Sequence, residues 1–256
     1  VDVRGRGAVE IGGRLAAEHV APAPEASTPE IRVGVYGDIA LSPGAQLEAG
    51  AGGRVELGTN ARVRLDAGAH LEGASTWTVG ARRVEVAPGA SLEVGQLALT
   101  AETSARFGEG ARVASSGAEL AIVARTLTVE GRAELLGVAP EGTSLRLEAA
   151  RRLEVREGAR VAAETPACGD RGQVVVRVAG PFVGGGRVAF EPAPLAARCP
   201  DAEPSRVLIE AHAFEGVVPR FPALEPPAGE TRVDPGLQIV VPPTAASIGG
   251  RWTSRP

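Results

Sequence analysis

Apolar and polar residues alternate in short bursts along most of this chain. Between Trp77 and Val94 three triplets, Trp77-Thr78-Val79, Val84-Glu85-Val86 and Leu92-Glu93-Val94, start seven or eight residues apart. Alternation with period two marks a strand with one buried face. The first triplet recurs at Ile31-Arg32-Val33, Val55-Glu56-Leu57, Leu97-Ala98-Leu99, Leu120-Ala121-Ile122 and Leu145-Arg146-Leu147. The second recurs at Ile39-Ala40-Leu41, Val63-Arg64-Leu65, Ala105-Arg106-Phe107, Leu127-Thr128-Val129 and Leu153-Glu154-Val155. The third follows a Gly-Ala pair, as in Gly44-Ala45-Gln46-Leu47, Gly68-Ala69-His70-Leu71, Gly110-Ala111-Arg112-Val113 and Gly158-Ala159-Arg160-Val161, with a variant at Gly131-Arg132-Ala133.

From Gly44 the glycine-to-glycine steps are 24, 21, 21, 21 and 27 residues, a period that is real but elastic. One turn of three short strands cannot bury its apolar face alone, whereas stacked turns make a continuous column. Hairpins are disfavoured because the chain contains neither Asn-Gly nor Asp-Gly. The expected fold is therefore all-β, a right-handed parallel β-helix with three short strands per turn; right-handed crossovers are the strong default. First-strand starts at Val1, Ile31, Val55, Trp77, Leu97, Leu120, Leu145, Val174 and Val207 give about nine turns. At roughly 4.8 Å per turn that is a rod about 40 Å long. The solenoid is expected over 1–218, with polar insertions at 18–30 and 192–205 leaving the rod. Residues 219–256 carry Pro219, Pro222, Pro226, Pro227, Pro235, Pro242 and Pro243, and read as a capping tail or linker without a regular ladder.

Composition narrows the chemistry. All 27 cationic side chains are arginine, which removes every mechanism built on a lysine amine. The net charge of −4 argues against nucleic acid as a partner. No apolar run is long enough to span a membrane. With no methionine and an opening Val1, the chain is expected to be a processed or trimmed piece, a leader or further domains having been removed. Cys168 and Cys199 sit in polar loops and fit one disulfide in an oxidising compartment, closing a loop worth about 3–4 kcal/mol; two free thiols are the other reading.

Candidate sites are sparse. Outward positions of the second triplet, Arg64, Glu85, Arg106, Thr128 and Glu154, nearly alternate in sign and suit weak ion pairs between turns better than a binding face for an acidic polymer. Arg151, Arg152, Arg156 and Arg160 form the densest basic stretch, interleaved with Glu148, Glu154 and Glu157. The histidines are His19, His70 and His212; His70 is expected to face solvent and Trp77 to face inward or end a strand. No metal-ligand spacing or nucleophile motif occurs, so no metal or cofactor is expected. Among the six aspartates the best grouping is Cys168-Gly169-Asp170-Arg171 with Arg198-Cys199-Pro200-Asp201. A disulfide would bring Asp170, Arg171, Arg198 and Asp201 together, two acids and two arginines, the best grouping for acid–base work on a polysaccharide.

The stacked triplets with Gly-Ala turns resemble those of bacterial secreted right-handed parallel β-helix proteins, the pectate-lyase-like superfold. Gly184-Gly185-Gly186-Arg187-Val188-Ala189-Phe190 and Arg206-Val207-Leu208-Ile209-Glu210-Ala211 resemble terminal turns of adhesin-like bacterial surface proteins. The lyase motifs Asn-Thr-Asp, Gly-His-Gly and Trp-x-Asp-His are missing. The resemblance implies a non-enzymatic, adhesin-like scaffold module, secreted or on the cell surface, meeting surface polysaccharide or other cell-surface proteins. The alternatives are a polysaccharide lyase or glycoside hydrolase using the Cys168 and Cys199 loops, and a polymer-forming protein similar to bactofilin, whose repeats Tyr36-Gly37-Asp38-Ile39 resembles.

Overall fold

The computed structural model describes residues 1–17, 28–50, 52–138, 144–164, 173–184, 189–192, 206–216 and 237–240. Among them there is no helix, and every strand pairing is parallel. Three coils open the stack. They are β1 (Asp2–Gly5), β2 (Val9–Ile11) and β3 (Arg14–Ala16); β4 (Glu30–Val35), β5 (Ile39–Leu41) and β6 (Gln46–Glu48); and β7 (Arg54–Thr59), β8 (Arg62–Leu65) and β9 (His70–Glu72). The regular middle follows as five coils of one long and one short strand. These pair β10 (Thr76–Val86) with β11 (Ser91–Val94), β12 (Gln96–Phe107) with β13 (Arg112–Ser115), and β14 (Glu119–Val129) with β15 (Glu134–Val138). The last two join β16 (Ser144–Val155) to β17 (Arg160–Glu164) and β18 (Gln173–Gly184) to β19 (Ala189–Pro192). β20 (Arg206–Gly216) and β21 (Leu237–Val240) complete the described strands. The chain is thus a parallel β-solenoid.

Three faces run along it. The first is the path β1-β4-β7-β10-β12-β14-β16-β18-β20-β21, and the third is the six-stranded sheet from β9 to β19. The expectation of three separate strands per turn needs one correction. From β10 onward the first and second faces belong to a single strand that bends at a bulge, where the register shifts between Ala81 and Arg83, Ala101 and Ser104, and Ala124 and Thr126. A bulge adds an unpaired residue and turns the strand without ending the ladder, so two triplets merge.

Period-two alternation lines the interior. Val33, Leu57, Val79, Leu99, Ile122, Leu147 and Val176 stack in register on the first face. Leu71, Leu92, Val113, Leu135 and Val161 do so on the third. Both columns belong to one continuous buried cluster. Trp77 joins it at 1% exposure, and its Nε1–H donates to the buried Ser75 Oγ at 3.0 Å, which satisfies the one polar atom an indole brings inside.

The Gly-Ala pairs are the other structural constant. In each, the alanine N–H donates to the carbonyl three residues back, at 2.9 Å for Ala45 to Ser42, 3.1 Å for Ala90 to Ala87 and 3.0 Å for Ala111 to Gly108. The intervening glycines have φ of +90° at Gly44, +69° at Gly89 and +66° at Gly110. That is a β-turn needing positive φ at its third position, with proline at the second in Pro43 and Pro88. The variant turn puts Arg132 in that slot at φ 59°. Of the expected insertions, 18–27 and 193–205 lie outside the described residues, while Glu30 and Pro192 belong to strands. Within 219–256 the proline-free run Leu237–Val240 pairs in register with Val207–Glu210.

Candidate functional site

The second face and the Gly-Ala turns below it enclose an open groove of about 870 Å³, lined by Glu85, Arg106, Glu130, Glu154, Arg156 and Glu157 among others. Its floor follows from sequence. The position opening each turn carries Asp66, Ala87, Gly108, Glu130 and Arg156 in successive coils. Small residues at Ala87 and Gly108 leave a hollow beside the larger side chains. Gly108 is required there, because a Cβ would lie 2.6 Å from the Pro88 nitrogen.

Glu130 is the organising side chain. It is 7% exposed, yet each carboxylate oxygen holds a guanidinium: Arg106 Nη2 at 2.9 Å on Oε1, and Arg156 Nη1 at 2.7 Å on Oε2. Arg156 Nε also reaches Glu154 Oε1 at 3.1 Å. A buried carboxylate survives only when so paired. With an arginine on each oxygen, Glu130 is held as an ion pair, whereas Glu157 on the same groove is exposed and makes no ion pair among the described residues.

The outward column Arg64, Glu85, Arg106, Thr128 and Glu154 is in register as expected. Its charges, however, pair diagonally rather than straight up the ladder. Arg62 bridges Asp38 at 2.7 Å and Glu85 at 3.6 Å, while Arg64 hydrogen-bonds Asp66. On the third face Arg112 links Glu93 at 2.9 Å and Glu134 at 2.5 Å. Burial pulls the Arg112 guanidinium down, and the hydrogen bonds and charge of Glu134 and Glu93 outweigh it, holding it above the usual arginine range. The hydrogen bond that Arg32 donates to Glu56, with the charges of Glu30 and Glu56, raises Arg32 likewise.

The basic stretch of Arg151, Arg152, Arg156 and Arg160 is not one patch. Arg151 stands at the bulged corner, Arg152 reaches Glu154 at 3.7 Å, Arg156 serves Glu130, and Arg160 lies on the third face in β17. His70 is exposed, hydrogen-bonded to Ser91 Oγ and 3.6 Å from Glu72. His19, Cys168, Asp170, Arg171, Arg198, Cys199 and Asp201 lie outside the described residues, as does the pairing of the two cysteines. Among the described residues no group of three or more His, Cys, Asp or Glu is placed to hold a metal ion. Nor is any helix among them long and apolar enough to cross a membrane.

Sequence reasoning missed Glu130. Its signal was available: aligned on the Gly-Ala turns, Glu130 falls in the slot of Asp66 and Arg156, directly beside the outward column. Comparison with family models, curated proteins and solved structures finds no match to this chain.

Proposed function

We propose that this chain is a rigid, non-enzymatic scaffold module of a bacterial secreted or cell-surface protein, adhesin-like in role, holding attached parts or loops at a fixed spacing. The observation that carries this reading is the unbroken register of the interior columns, from Val33 through Val176 on the first face. A solenoid spends its residues on length and on a repetitive surface rather than on one enclosed pocket. The engagement of both Glu130 oxygens fits the same reading, since the buried acid of the groove is held as an ion pair between coils.

The finer architecture belongs to this proposal: a right-handed wind of about nine turns, a rod about 40 Å long. So does a disulfide between Cys168 and Cys199, to be read by thiol titration with and without reductant. Surface polysaccharide or other cell-surface proteins are the proposed partners, with no cofactor, nucleic acid or membrane insertion required.

Small-angle scattering together with a depolymerisation assay on acidic and neutral polysaccharides tests the reading. A rod-shaped profile and unchanged polymer length support the scaffold. Product release that disappears in Asp170→Ala or Asp201→Ala replaces it with the lyase or hydrolase alternative. Filaments under the electron microscope replace it with a polymer-forming role.

A further inference from the structure

We propose that the bulged corner between the first and second faces is a docking ridge for an acidic polysaccharide. On the flat faces arginines are paired: Arg32, Arg62, Arg64, Arg106, Arg112, Arg146 and Arg177 each hold a carboxylate. Along the bulges they are not. Arg82, Arg125 and Arg151 there, with Arg83, which follows Arg82 and stands in the ladder between Arg62 and Ser104, are exposed and have no ion-pair partner among the described residues. Arg6, on the same corner three coils earlier, and Arg54, at the start of β7, are the other described arginines in that state.

The backbone explains the difference. The four coils from β10 to β16 reach this corner through a buried small residue, Ala81, Ala101, Ala124 or Ala149, in register with the next. Beyond it the bulge leaves one or two residues out of the ladder: Arg82, then Glu102 and Thr103, then Arg125, then Ala150 and Arg151. The arginines there, Arg82, Arg125 and Arg151, are exposed. The nearby outward acids are already engaged, Glu85 by Arg62 and Glu148 by Arg146 and Arg177. Glu102 is the one acid on the ridge itself.

The product is a narrow positive line, four guanidiniums over three coil steps of about 4.8 Å, or about 14 Å in all. Guanidinium recognises carboxylate and sulfate through paired N–H donors. A single convex column suits one flexible chain of spaced anions better than a duplex with two phosphate strands, and the chain's net charge of −4 opposes nucleic acid beyond the ridge. An anionic membrane would call for apolar side chains alongside the charge. Among the described residues the exposed large apolar side chains are Val1 and Tyr36, neither on these coils. The proposal extends the scaffold reading to one surface and one charge class, and the rod does not depend on it.

The test is retention of the whole chain on immobilised polygalacturonate and dextran sulfate, with neutral dextran as blank, at about 50 and about 200 mM NaCl. The expected result is retention on the acidic polymers alone, weakening with salt. Combined Arg82→Ser, Arg83→Ser, Arg125→Ser and Arg151→Ser loses affinity about tenfold or more, as removal of direct anion contacts requires. A control of equal charge, Arg32→Ser, Arg64→Ser, Arg146→Ser and Arg177→Ser, loses about threefold at most, and Glu102→Arg gains affinity without depending on how the other variants fold. No retention, an equal loss in the control, no gain from Glu102→Arg, or tighter binding to duplex DNA or to phosphatidylserine vesicles each overturns the proposal. Scattering on the same samples separates the two readings: a rod that fails to bind sinks the ridge alone.

Discussion

Two corners of the coils from β10 onward solve the same geometric problem in opposite ways. At the Gly-Ala corner a four-residue turn closes on itself with its own hydrogen bond, a positive-φ glycine and an alanine buried against the core. At the bulged corner the strand never stops; a buried alanine is followed by one or two residues outside the ladder. The first corner dictates residue identity, because only glycine takes that φ without cost and only a small side chain fits beneath. The second dictates little beyond its alanine, so its outer residues are free to be Arg, Glu, Thr or Ala. One corner holds the coil together, and the other is where the chain can vary its surface without losing a turn.

Deleting core volume between the corners has the largest expected effect. Phe107, fully buried in the second-face column, should cost about 3–5 kcal/mol as Phe107→Ala, read from the urea midpoint. Next is the groove beside the Gly-Ala corner. Arg106→Ala with Arg156→Ala leaves the Glu130 carboxylate buried without a partner, at about 3 kcal/mol. Glu130→Ala should cost only about 1 kcal/mol, because both arginines are more than half exposed and rehydrate. Equal costs for the two would mean that Glu130 is not desolvated.

The turn slot itself is testable in both directions. A Cβ at Gly110 meets nothing within 4 Å, so Gly110→Ala isolates backbone strain and should lower stability by about 1–2 kcal/mol. Arg132→Gly, in the same slot one coil on, should raise it by about 1 kcal/mol, seen as a higher thermal midpoint. A loss there would remove positive φ as the rule of that corner. The smallest effect is expected opposite: Arg125→Ala on the bulge should stay within about 0.5 kcal/mol of the parent.

The strands were legible in the sequence because a residue facing a packed column and one facing solvent differ in kind. Every triplet from Ile31-Arg32-Val33 to Leu153-Glu154-Val155 occupies a strand, and Trp77 is inward. Glu130 was harder to see, since a carboxylate at the start of a turn looks like any exposed turn residue until the coils above and below supply Arg106 and Arg156. The four corner arginines were hidden for a related reason. A linear reading groups Arg151 with Arg152, Arg156 and Arg160, whereas the coil turns them toward different sides.

From composition and periodicity alone came the all-β class, the parallel stacking and the place of each glycine turn, because those depend on local sterics and on where apolar surface can hide. Which charges meet, which arginines stay unpaired, and that two triplets join through one bulge emerged only when coils about twenty residues apart in sequence were set about one strand spacing apart in space. Ion pairing is a matter of distance, and distance between coils is a property of the stack rather than of any one repeat.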